Sequence, residues 1–274
     1  MDRSAMFKAL FGPLYEPIPD CGKYLERIGL SPIRKADKET LDLLVLSHQK
    51  SVPFENLDVY DAGLDISLGI PELYDKIVLR RRGGYCFELN AAFSSLLSGL
   101  GYTCYSVAVR VVANASILMP LSHRASIVTI GGVRFFCDVG FGGPSPQGAL
   151  VLDDTEPQRS GPNTFIIKKD KQDIVICRIV DGNAEPLLSF LETPCDPVDF
   201  LALNEYQSKS KNSMFRITRI CNLVTDTGSI TLSDNVLKLH SDSNTIEKTL
   251  ETEGDLRSAL KNNYGIQVDF PLRS

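Results

Sequence analysis

The chain has 274 residues, a formal net charge of -5, 43% hydrophobic residues and 23% charged residues. These proportions are typical of a globular protein with a sizeable core, so they exclude a disordered or low-complexity chain. The acidic balance argues against nucleic acid as a partner, because nucleic-acid binding favours a basic face.

The sequence shows no clear targeting signal and no cysteine spacing typical of a disulfide framework or a metal site. The apolar run at the N-terminus is too short for a secretory signal and is broken by Pro13, Glu16 and Pro17. No window approaches the roughly 18 apolar residues of a membrane span. The seven cysteines are odd in number and form no Cys-x-x-Cys pair or zinc-like cluster. We therefore expect a cytoplasmic protein with reduced thiols, no metal and no membrane partner.

The first hundred residues have helical patterns. Residues 23–30 predict a short helix, and Asp37 is a suitable N-cap for the next helix. Pro71 fits the first turn of a third helix. A strongly apolar helix then runs from about Cys86 to Gly99, where glycines end it.

Beyond residue 102 the pattern changes to strands, with a mixed region after about residue 194. Strands are expected at 103–112, 126–130, 133–139, 164–168 and 173–180. The region after 194 predicts a helix at 197–208, strands between 215 and 239, and a helix at 254–263. The sequence therefore predicts an α+β fold in three consecutive parts: 1–102, 103–194 and 195–274.

Cys86 is the first candidate for chemistry. It begins a helix shortly after Gly83 and Gly84, and a helix N-terminus has free N–H groups and partial positive charge. Such a position stabilises a thiolate, which is the nucleophilic form of cysteine. The three arginines at 80–82 would add to the positive field. The alternative is an inert cysteine buried in the helix.

A thiol nucleophile needs a base, and the chain has three histidines. His48 falls on a helix face among leucines, which is typical of a core histidine. His240 lies in a polar run that is typical of a solvated turn. His123 shortly precedes a strand that enters a hairpin, and it is the candidate base.

The hairpin register links this histidine to a carboxylate. If 131–132 form a two-residue turn, Ile130 pairs with Val133. The same register makes His123 and Asp138 diagonal neighbours on one face, about 7–8 Å apart at the backbone. Asp138 would then fix the imidazole tautomer in a nucleophile–base–acid triad. A three-residue loop or a bulge would no longer place the two side chains on the same face. Asp138 would then be an ordinary exposed carboxylate.

Four segments together resemble the arylamine N-acetyltransferase family: Val52-Pro53-Phe54-Glu55-Asn56-Leu57, Arg81-Arg82-Gly83-Gly84-Tyr85-Cys86-Phe87-Glu88-Leu89-Asn90, His123, and Asp138-Val139-Gly140-Phe141-Gly142. The length is similar to that of prokaryotic members. The resemblance implies an N-terminal helical bundle, a central β-barrel-like domain and a C-terminal α/β lid around a cysteine-protease-like triad core. It also implies that Cys86, His123 and Asp138 form the catalytic triad.

The resemblance implies an activity as well. Acetyl-CoA would be the co-substrate, without a metal, and it would acetylate Cys86 in a ping-pong mechanism. An arylamine, arylhydrazine or N-hydroxyarylamine would then accept the acetyl group from the thioester, a reaction of xenobiotic metabolism.

Further residue roles follow only from the resemblance. Three aromatic residues would be walls for the acceptor, although each is equally compatible with plain core: Phe54, Phe87 and Phe141. Two segments would lie near the pantetheine and phosphates of CoA: Pro120, Leu121 and Ser122, and Phe141, Gly142 and Gly143. Arg124 departs from the family, which usually has an apolar residue after the histidine. Its charge would meet a CoA phosphate or an anionic acceptor, or it would point to water.

Three other functions remain open at the level of sequence. A hydrolase or transglutaminase-like amidase uses the same kind of triad. An amide synthase resembles the same family but takes its acyl group from a carrier protein. A binding module without activity is the third, and the intact triad argues against it. The segments Pro-Phe-Glu-Asn-Leu and Gly-Phe-Gly favour the transferase over the first of these.

Overall fold

The computed structural model of the chain describes residues 3–33, 35–241 and 244–273. Asp242 and Ser243, in the polar run after His240, lie outside the described residues. In the described ranges, no helix is both long enough and apolar enough to cross a membrane.

The described residues contain nine α-helices, six of them in the first hundred positions. They are α1 (Arg3–Phe11), α2 (Cys21–Arg27), α3 (Lys38–Ser51), α4 (Leu57–Tyr60), α5 (Ile70–Tyr74), α6 (Cys86–Gly99), α7 (Phe200–Lys209), α8 (Met214–Ile217) and α9 (Glu253–Tyr264). Shorter helical turns occur at Gly12–Tyr15, Asp75–Leu79 and Pro197–Asp199.

The helix starts predicted at Asp37 and Cys86 are confirmed. The Asp37 side chain accepts a hydrogen bond from the backbone N–H of Thr40 at 2.9 Å, which caps α3. α6 begins at Cys86 as expected and is buried along most of its length. Leucine and aromatic side chains of α3, α5 and α6 share one core that also reaches the outer face of the neighbouring sheet. α6 is therefore the central helix of the N-terminal part.

Thirteen strands are found in the described ranges. They are β1 (Phe54–Glu55), β2 (Thr103–Val111), β3 (Leu121–Ile130), β4 (Val133–Cys137), β5 (Leu150–Val151), β6 (Gln158–Ser160), β7 (Asn163–Asp170), β8 (Asp173–Val180), β9 (Asn183–Leu191), β10 (Ile220–Thr225), β11 (Gly228–Ser233), β12 (Val236–Ser241) and β13 (Asn244–Thr249).

Eight of these strands form an antiparallel, nearly closed barrel-like sheet in the order β5-β4-β3-β2-β9-β8-β7-β6. Its inner face has its own apolar core, which includes Val107, Ile127 and Phe136. The β3–β4 hairpin has the expected two-residue turn, because Ile130 pairs with Val133 and the register continues to the last ladder pair. The α+β architecture predicted from the sequence is thus confirmed.

β9 is a strand that the sequence patterns did not predict. It lies between β2 and β8 and closes the middle of the sheet. Pro186 interrupts its alternation and pairs with Cys177, where the register shifts by a bulge. Proline lacks a backbone donor, so a bulge is where such a residue is tolerated.

The second sheet has five antiparallel strands in the order β1-β10-β11-β12-β13. Its first strand comes from the helical region, since Phe54 pairs with Asn222 and Glu55 with Cys221. α9 packs on this sheet through Leu256 and Leu260. This sheet therefore connects the N-terminal and C-terminal parts directly, while the boundaries expected at residues 102 and 194 stay a prediction.

Candidate active site

Cys86 is the first residue of α6, and it is almost fully buried against the barrel-like sheet. Its Sγ lies 3.7 Å from the carbonyl oxygen of Ser122, at the start of β3. Gly140 packs against it so closely that an added Cβ would lie 2.9 Å from the Cys86 Cα. The backbone after β4 can approach the thiol only because residue 140 has no side chain.

The start of α6 is fixed by buried charge. Glu88 accepts a hydrogen bond from the Tyr85 backbone N–H at 3.0 Å, and Lys76 lies 2.7 Å from the same carboxylate. The carboxylate satisfies a free N–H at the helix start, which is the role of an acidic residue in a capping box. Lys76 also pairs with Asp58, so its ammonium group fixes the carboxylates of both Asp58 and Glu88 in position.

Two of the three arginines at 80–82 have carboxylate partners of their own. Arg82 is buried with Glu55 and Asp58, each 2.7 Å away. Arg80 pairs with Asp75 at the surface. Their charges are balanced by their own carboxylates, so they contribute little of the positive field that the sequence suggested near the thiol.

The imidazole of His123 meets the carboxylate of Asp138, with 2.6 Å between Nε2 and Oδ2. Both side chains are almost fully buried. The Phe141 ring contacts the imidazole edge-on, with the two ring centroids 5.8 Å apart. The diagonal relationship expected from the hairpin therefore brings these two side chains together.

Charge on the imidazole is favoured in this environment. Burial opposes it, but the Asp138 carboxylate and the neighbouring Cys86 side chain outweigh burial and raise the pKa of His123 to about 10. The imidazole is consequently protonated at neutral pH and can act as the counter-ion of a thiolate. Cys86, His123 and Asp138 thus have the arrangement of a nucleophile, a base and an orienting acid.

Asn90 supports this arrangement, and the sequence analysis gave it no role. Its Nδ2 donates to Asp138 Oδ1 at 2.9 Å and to the Arg124 carbonyl oxygen at 2.6 Å. Its Oδ1 accepts from the Val139 backbone N–H at 3.1 Å. Residues four apart lie on one face of a helix, so the spacing from Cys86 was the available signal.

Gln49, near the end of α3, is a second supporting residue that the sequence analysis missed. Its Nε2 donates to the Asp138 carbonyl oxygen at 3.0 Å and to the Pro146 carbonyl oxygen at 2.9 Å. The Ser145 hydroxyl lies 3.2 Å from the same nitrogen. These contacts fix the chain on both sides of the glycine segment 140–143. Nothing in the local sequence distinguishes Gln49 from a surface glutamine.

A cavity of about 390 Å³ lies beside the glycine segment. Phe54, Gly142 and Gly143 line it from the triad side, and Arg178 and His240 line it with polar groups. Gly142 is also tied to the five-stranded sheet, because its carbonyl oxygen accepts a hydrogen bond from the Asn222 side chain. The cavity thus lies between the two sheets. Its lining includes Val139, the residue after Asp138, but none of the three triad side chains.

His240 is not in a solvated turn, so that interpretation is wrong. It lies in β12, which pairs with β11 and β13. Its Nε2 is 3.3 Å from the Thr231 hydroxyl, and its Nδ1 is 3.1 Å from the Thr245 hydroxyl. The polar run was misleading because it begins while β12 is still paired: His240 lies opposite Thr245 of the edge strand β13.

The remaining predicted residues are spread over different environments. Phe54 contacts Phe215 at 5.9 Å between ring centroids and lines the cavity. Phe87 is fully buried between Tyr85 and Phe200, in the core of the helical part.

The three residues expected near CoA at 120–122 also lie in different environments. Pro120 and Leu121 are exposed, and Leu121 lines a separate groove outside the barrel-like sheet. Ser122 contacts Cys86 through its carbonyl oxygen. Within the described residues, no group of three or more His, Cys, Asp or Glu could hold a metal ion.

Arg124 does not point to water, because only 4% of its surface is exposed. Its Nε and Nη2 donate to the Ser106 hydroxyl at 3.0 and 2.9 Å. The guanidinium carbon lies 4.5 Å from the centre of the Phe200 ring. The side chain is therefore directed between the barrel-like sheet and α7.

Comparison with known proteins agrees with this geometry. The sequence profile of an N-acetyltransferase family matches residues 37–273. The arylamine N-acetyltransferase of Mycolicibacterium smegmatis is 30% identical over 255 residues, which cover 91% of this chain and 92% of that protein.

Solved structures agree as well. The M. smegmatis arylamine N-acetyltransferase structure gives a TM-score of 0.85 at 30% identity, covering 90% of this chain and 92% of that one. A Mycobacterium marinum arylamine N-acetyltransferase in complex with CoA gives 0.84 at 28% identity, covering 90% and 93%. The expected fold and family are thereby confirmed. The chain belongs to the arylamine N-acetyltransferase family and is an acetyltransferase enzyme.

Proposed function

We propose that the protein transfers an acetyl group from acetyl-CoA to an arylamine, arylhydrazine or N-hydroxyarylamine through a thioester on Cys86. The observation that carries this proposal is the buried His123–Asp138 pair beside Cys86 at the start of α6. Cys86 is the nucleophile, His123 moves protons, and Asp138 orients His123.

In the first half-reaction, the Cys86 thiolate attacks the carbonyl carbon of acetyl-CoA. The carbon–sulfur bond to CoA then breaks, and the CoA thiolate takes a proton from the His123 imidazolium. Backbone N–H groups at the start of α6 face the developing oxyanion, because the first N–H groups of a helix have no partner within it. The products are an acetylated Cys86, a neutral His123 and free CoA.

In the second half-reaction, the amine attacks the thioester carbon. An aromatic amine is a weak base, so it is neutral and nucleophilic near neutral pH. The amine transfers a proton to His123 as the tetrahedral intermediate forms, and Cys86 leaves as a thiolate. The enzyme returns to the ion-paired state from which it started, and no external oxidant or reductant is needed.

We assign the binding sites of the acetyl donor and of the amine acceptor to the cavity between the two sheets. The CoA complex of the M. marinum relative supports CoA as the donor's carrier. The cavity offers the Arg178 cation and backbone at Gly142 and Gly143 to a phosphate-bearing chain. Phe54 and Phe141 are the proposed walls for the aromatic acceptor, because Phe54 lines the cavity and Phe141 contacts His123. A cytoplasmic location and a role in xenobiotic metabolism belong to the same proposal, and the free thiols support the location.

The half-reaction tests the proposal. Wild-type protein is mixed with acetyl-CoA without acceptor, and intact-mass and peptide mass spectrometry are used to locate any acetyl group. We expect one acetyl group on Cys86 and one equivalent of CoA released. The Cys86→Ala variant should gain none, whereas Cys21→Ala, which removes a half-buried thiol at the start of α2, should react as wild type.

Several results would contradict the proposal. No adduct with acetyl-, propionyl- or malonyl-CoA would favour a hydrolase or amidase. Acylation from a carrier protein but not from acyl-CoA would favour an amide synthase. Full transferase activity in Cys86→Ala would remove the thioester from the mechanism altogether.

A further inference from the structure

Arg124 is a buried cation without a carboxylate partner. Its hydrogen-bond acceptor is the neutral hydroxyl of Ser106, and its guanidinium lies on the Phe200 ring. Within the described residues, it forms no ion pair with an aspartate or glutamate. Burying a charge that is not paired is costly, so this position requires an explanation.

Two other buried cations near the start of α6 have carboxylate partners. Lys76 pairs with Asp58 and Glu88, and Arg82 pairs with Glu55 and Asp58. Arg27 is also buried and forms no ion pair within the described residues, but it donates to four backbone carbonyl oxygens. Arg124 differs from all three cations, because the Ser106 hydroxyl is its hydrogen-bond acceptor.

In the state that the proposed function requires, the triad has a net negative charge that neither Lys76 nor Arg82 balances. With Cys86 as thiolate, His123 as imidazolium and Asp138 as carboxylate, the three side chains sum to one negative charge. All three are buried, and a net charge is poorly tolerated where water is excluded. One further cation close by would make the group neutral.

Its place in the sequence and two contacts relate Arg124 to the start of α6. It follows His123 in β3, and its carbonyl oxygen is bound by Asn90, one turn along the helix from Cys86. The Phe200 ring under the guanidinium lies 6.0 Å from the ring of Phe87, the residue after Cys86. The guanidinium thus lies on the opposite face of β3 from the imidazole, on the Phe200 ring that packs beside Phe87 at the start of α6.

Arg124 keeps its charge at neutral pH. Burial lowers its pKa to about 10, and nearby thiols, including that of Cys86, oppose the decrease. The other titratable groups around the thiol and the guanidinium are His123, Asp138, Tyr85, Glu88, Cys104 and Cys195. Burial raises the pKa of Tyr85 and of Glu88.

We propose that Arg124 is a positioning residue that stabilises the thiolate of Cys86 through space, as the fourth charge of a neutral Cys–His–Asp–Arg group. The inference rests on the proposed function, in which that thiolate is the nucleophile. Acetylation removes the negative charge of the thiolate, so the group favours the free enzyme. The thioester, in turn, is poised to expel the thiolate again.

The test measures the thiolate directly, without an acyl donor. The rate of Cys86 alkylation by iodoacetamide is followed against pH in wild type, Arg124→Met, Arg124→Gln and Arg124→Lys. In both neutral variants we expect the pH of half-maximal alkylation to rise by about one unit, which is about tenfold slower alkylation at neutral pH. Arg124→Lys should restore most of the wild-type profile, because it retains the charge.

Controls separate charge from packing. Arg159→Met removes an exposed arginine from the same sheet and should leave the profile unchanged. An unchanged profile in both neutral variants would overturn the inference. An equal shift of the pH profile in Arg124→Lys would also overturn it, because the cause would then be lost packing on Phe200. An equal shift in Arg159→Met would overturn it as well, because the cause would then be the overall charge of the protein.

The role of Arg124 and the proposed function can be contradicted separately, because alkylation of Cys86 needs no acyl donor. If wild type gives no acetyl adduct but the neutral variants show the displaced profile, the proposed function fails and the role of Arg124 stands.

Discussion

Asn90 donates a hydrogen bond to Oδ1 of Asp138 at 2.9 Å, while the other oxygen of that carboxylate faces His123. Both oxygens of Asp138 are therefore occupied, and the carboxylate cannot rotate without losing a partner. α6 carries Cys86 at its start and Asn90 one turn later, so one rigid helix sets the positions of the nucleophile and of the orienting acid.

Replacing Asn90 with alanine should lower kcat by about 10- to 100-fold and destabilise the fold by about 1–3 kcal/mol. The cause is that the Val139 N–H is left buried without a partner, while Oδ1 of Asp138 keeps only the Gly140 backbone N–H. Steady-state kinetics and urea unfolding measure the two effects. Asn263→Ala, which removes an amide bonded to the α9 backbone, is the matched control and should change neither by a comparable amount. A wild-type kcat in Asn90→Ala would show that Asp138 is held by other contacts.

Replacing Asp138 with asparagine should reduce kcat/KM by roughly 10³- to 10⁴-fold, the loss typical of a triad that loses its orienting carboxylate. The carboxylate opposes the effect of burial on His123, so the pKa of the imidazole should fall in the variant. NMR titration of the histidine ring measures that decrease, and stopped-flow acetylation measures the rate. If the imidazole titrates as in wild type, the pairing with Asp138 does not set its charge.

Replacing Gly140 with alanine should abolish acetylation, because the new Cβ would lie 2.9 Å from both the Cys86 Cα and the Asn90 Nδ2. The backbone would have to move away from the nucleophile. Gly254→Ala is the matched control, since the Cβ there meets nothing closer than the Thr252 hydroxyl at 3.6 Å. Gly254 lies in the first turn of α9, where alanine favours the helix, so stability should be unchanged or slightly higher. Acetylation by Gly140→Ala at the wild-type rate would contradict the close approach.

The buried His48 should make the fold sensitive to acid. Burial, and secondarily Arg27, lower the pKa of His48 from 6.5 to about 3. The unfolded chain binds a proton that the folded chain does not bind between these two values. Stability from this group is therefore complete above pH 6.5 and is lost as the pH falls toward 3, by up to about 1.4 kcal/mol per pH unit.

His48→Leu should flatten the decrease in the free energy of unfolding over that pH range. Its stability at neutral pH should also be lower, because the Tyr24 hydroxyl, 3.0 Å from Nε2, loses its partner. Urea unfolding at a series of pH values separates the slope from this offset. An unchanged slope would mean that another group controls the acid transition.

Much of the site could be predicted because its geometry is local. The turn at Gly131-Gly132 sets the register of β3 and β4, and that register alone brings His123 near Asp138. The start of α6 at Cys86 follows from glycines before an apolar repeat. Turns, caps and periodicity involve neighbours in sequence, so the sequence was sufficient for them.

Other features depend on distant contacts that no local pattern records. β13 is exposed along its whole length, so it has no apolar alternation to reveal it. Gln49 binds the chain around Asp138 from a helix almost ninety residues earlier. The burial of Arg124 depends on Phe200, which belongs to a helix in another part of the fold. These positions were set by packing between separate segments.

The pairing of β1 with β10 has a consequence for biosynthesis. Phe54 leaves the ribosome long before Asn222 is translated, and at about 5–20 residues per second the delay is on the order of 10 s. During that interval the nascent chain carries β1 as an unpaired edge next to the segment that leads into the nucleophile. We therefore expect productive folding to be completed after release from the ribosome, and chains that end before β10 to be substrates for chaperones and proteases.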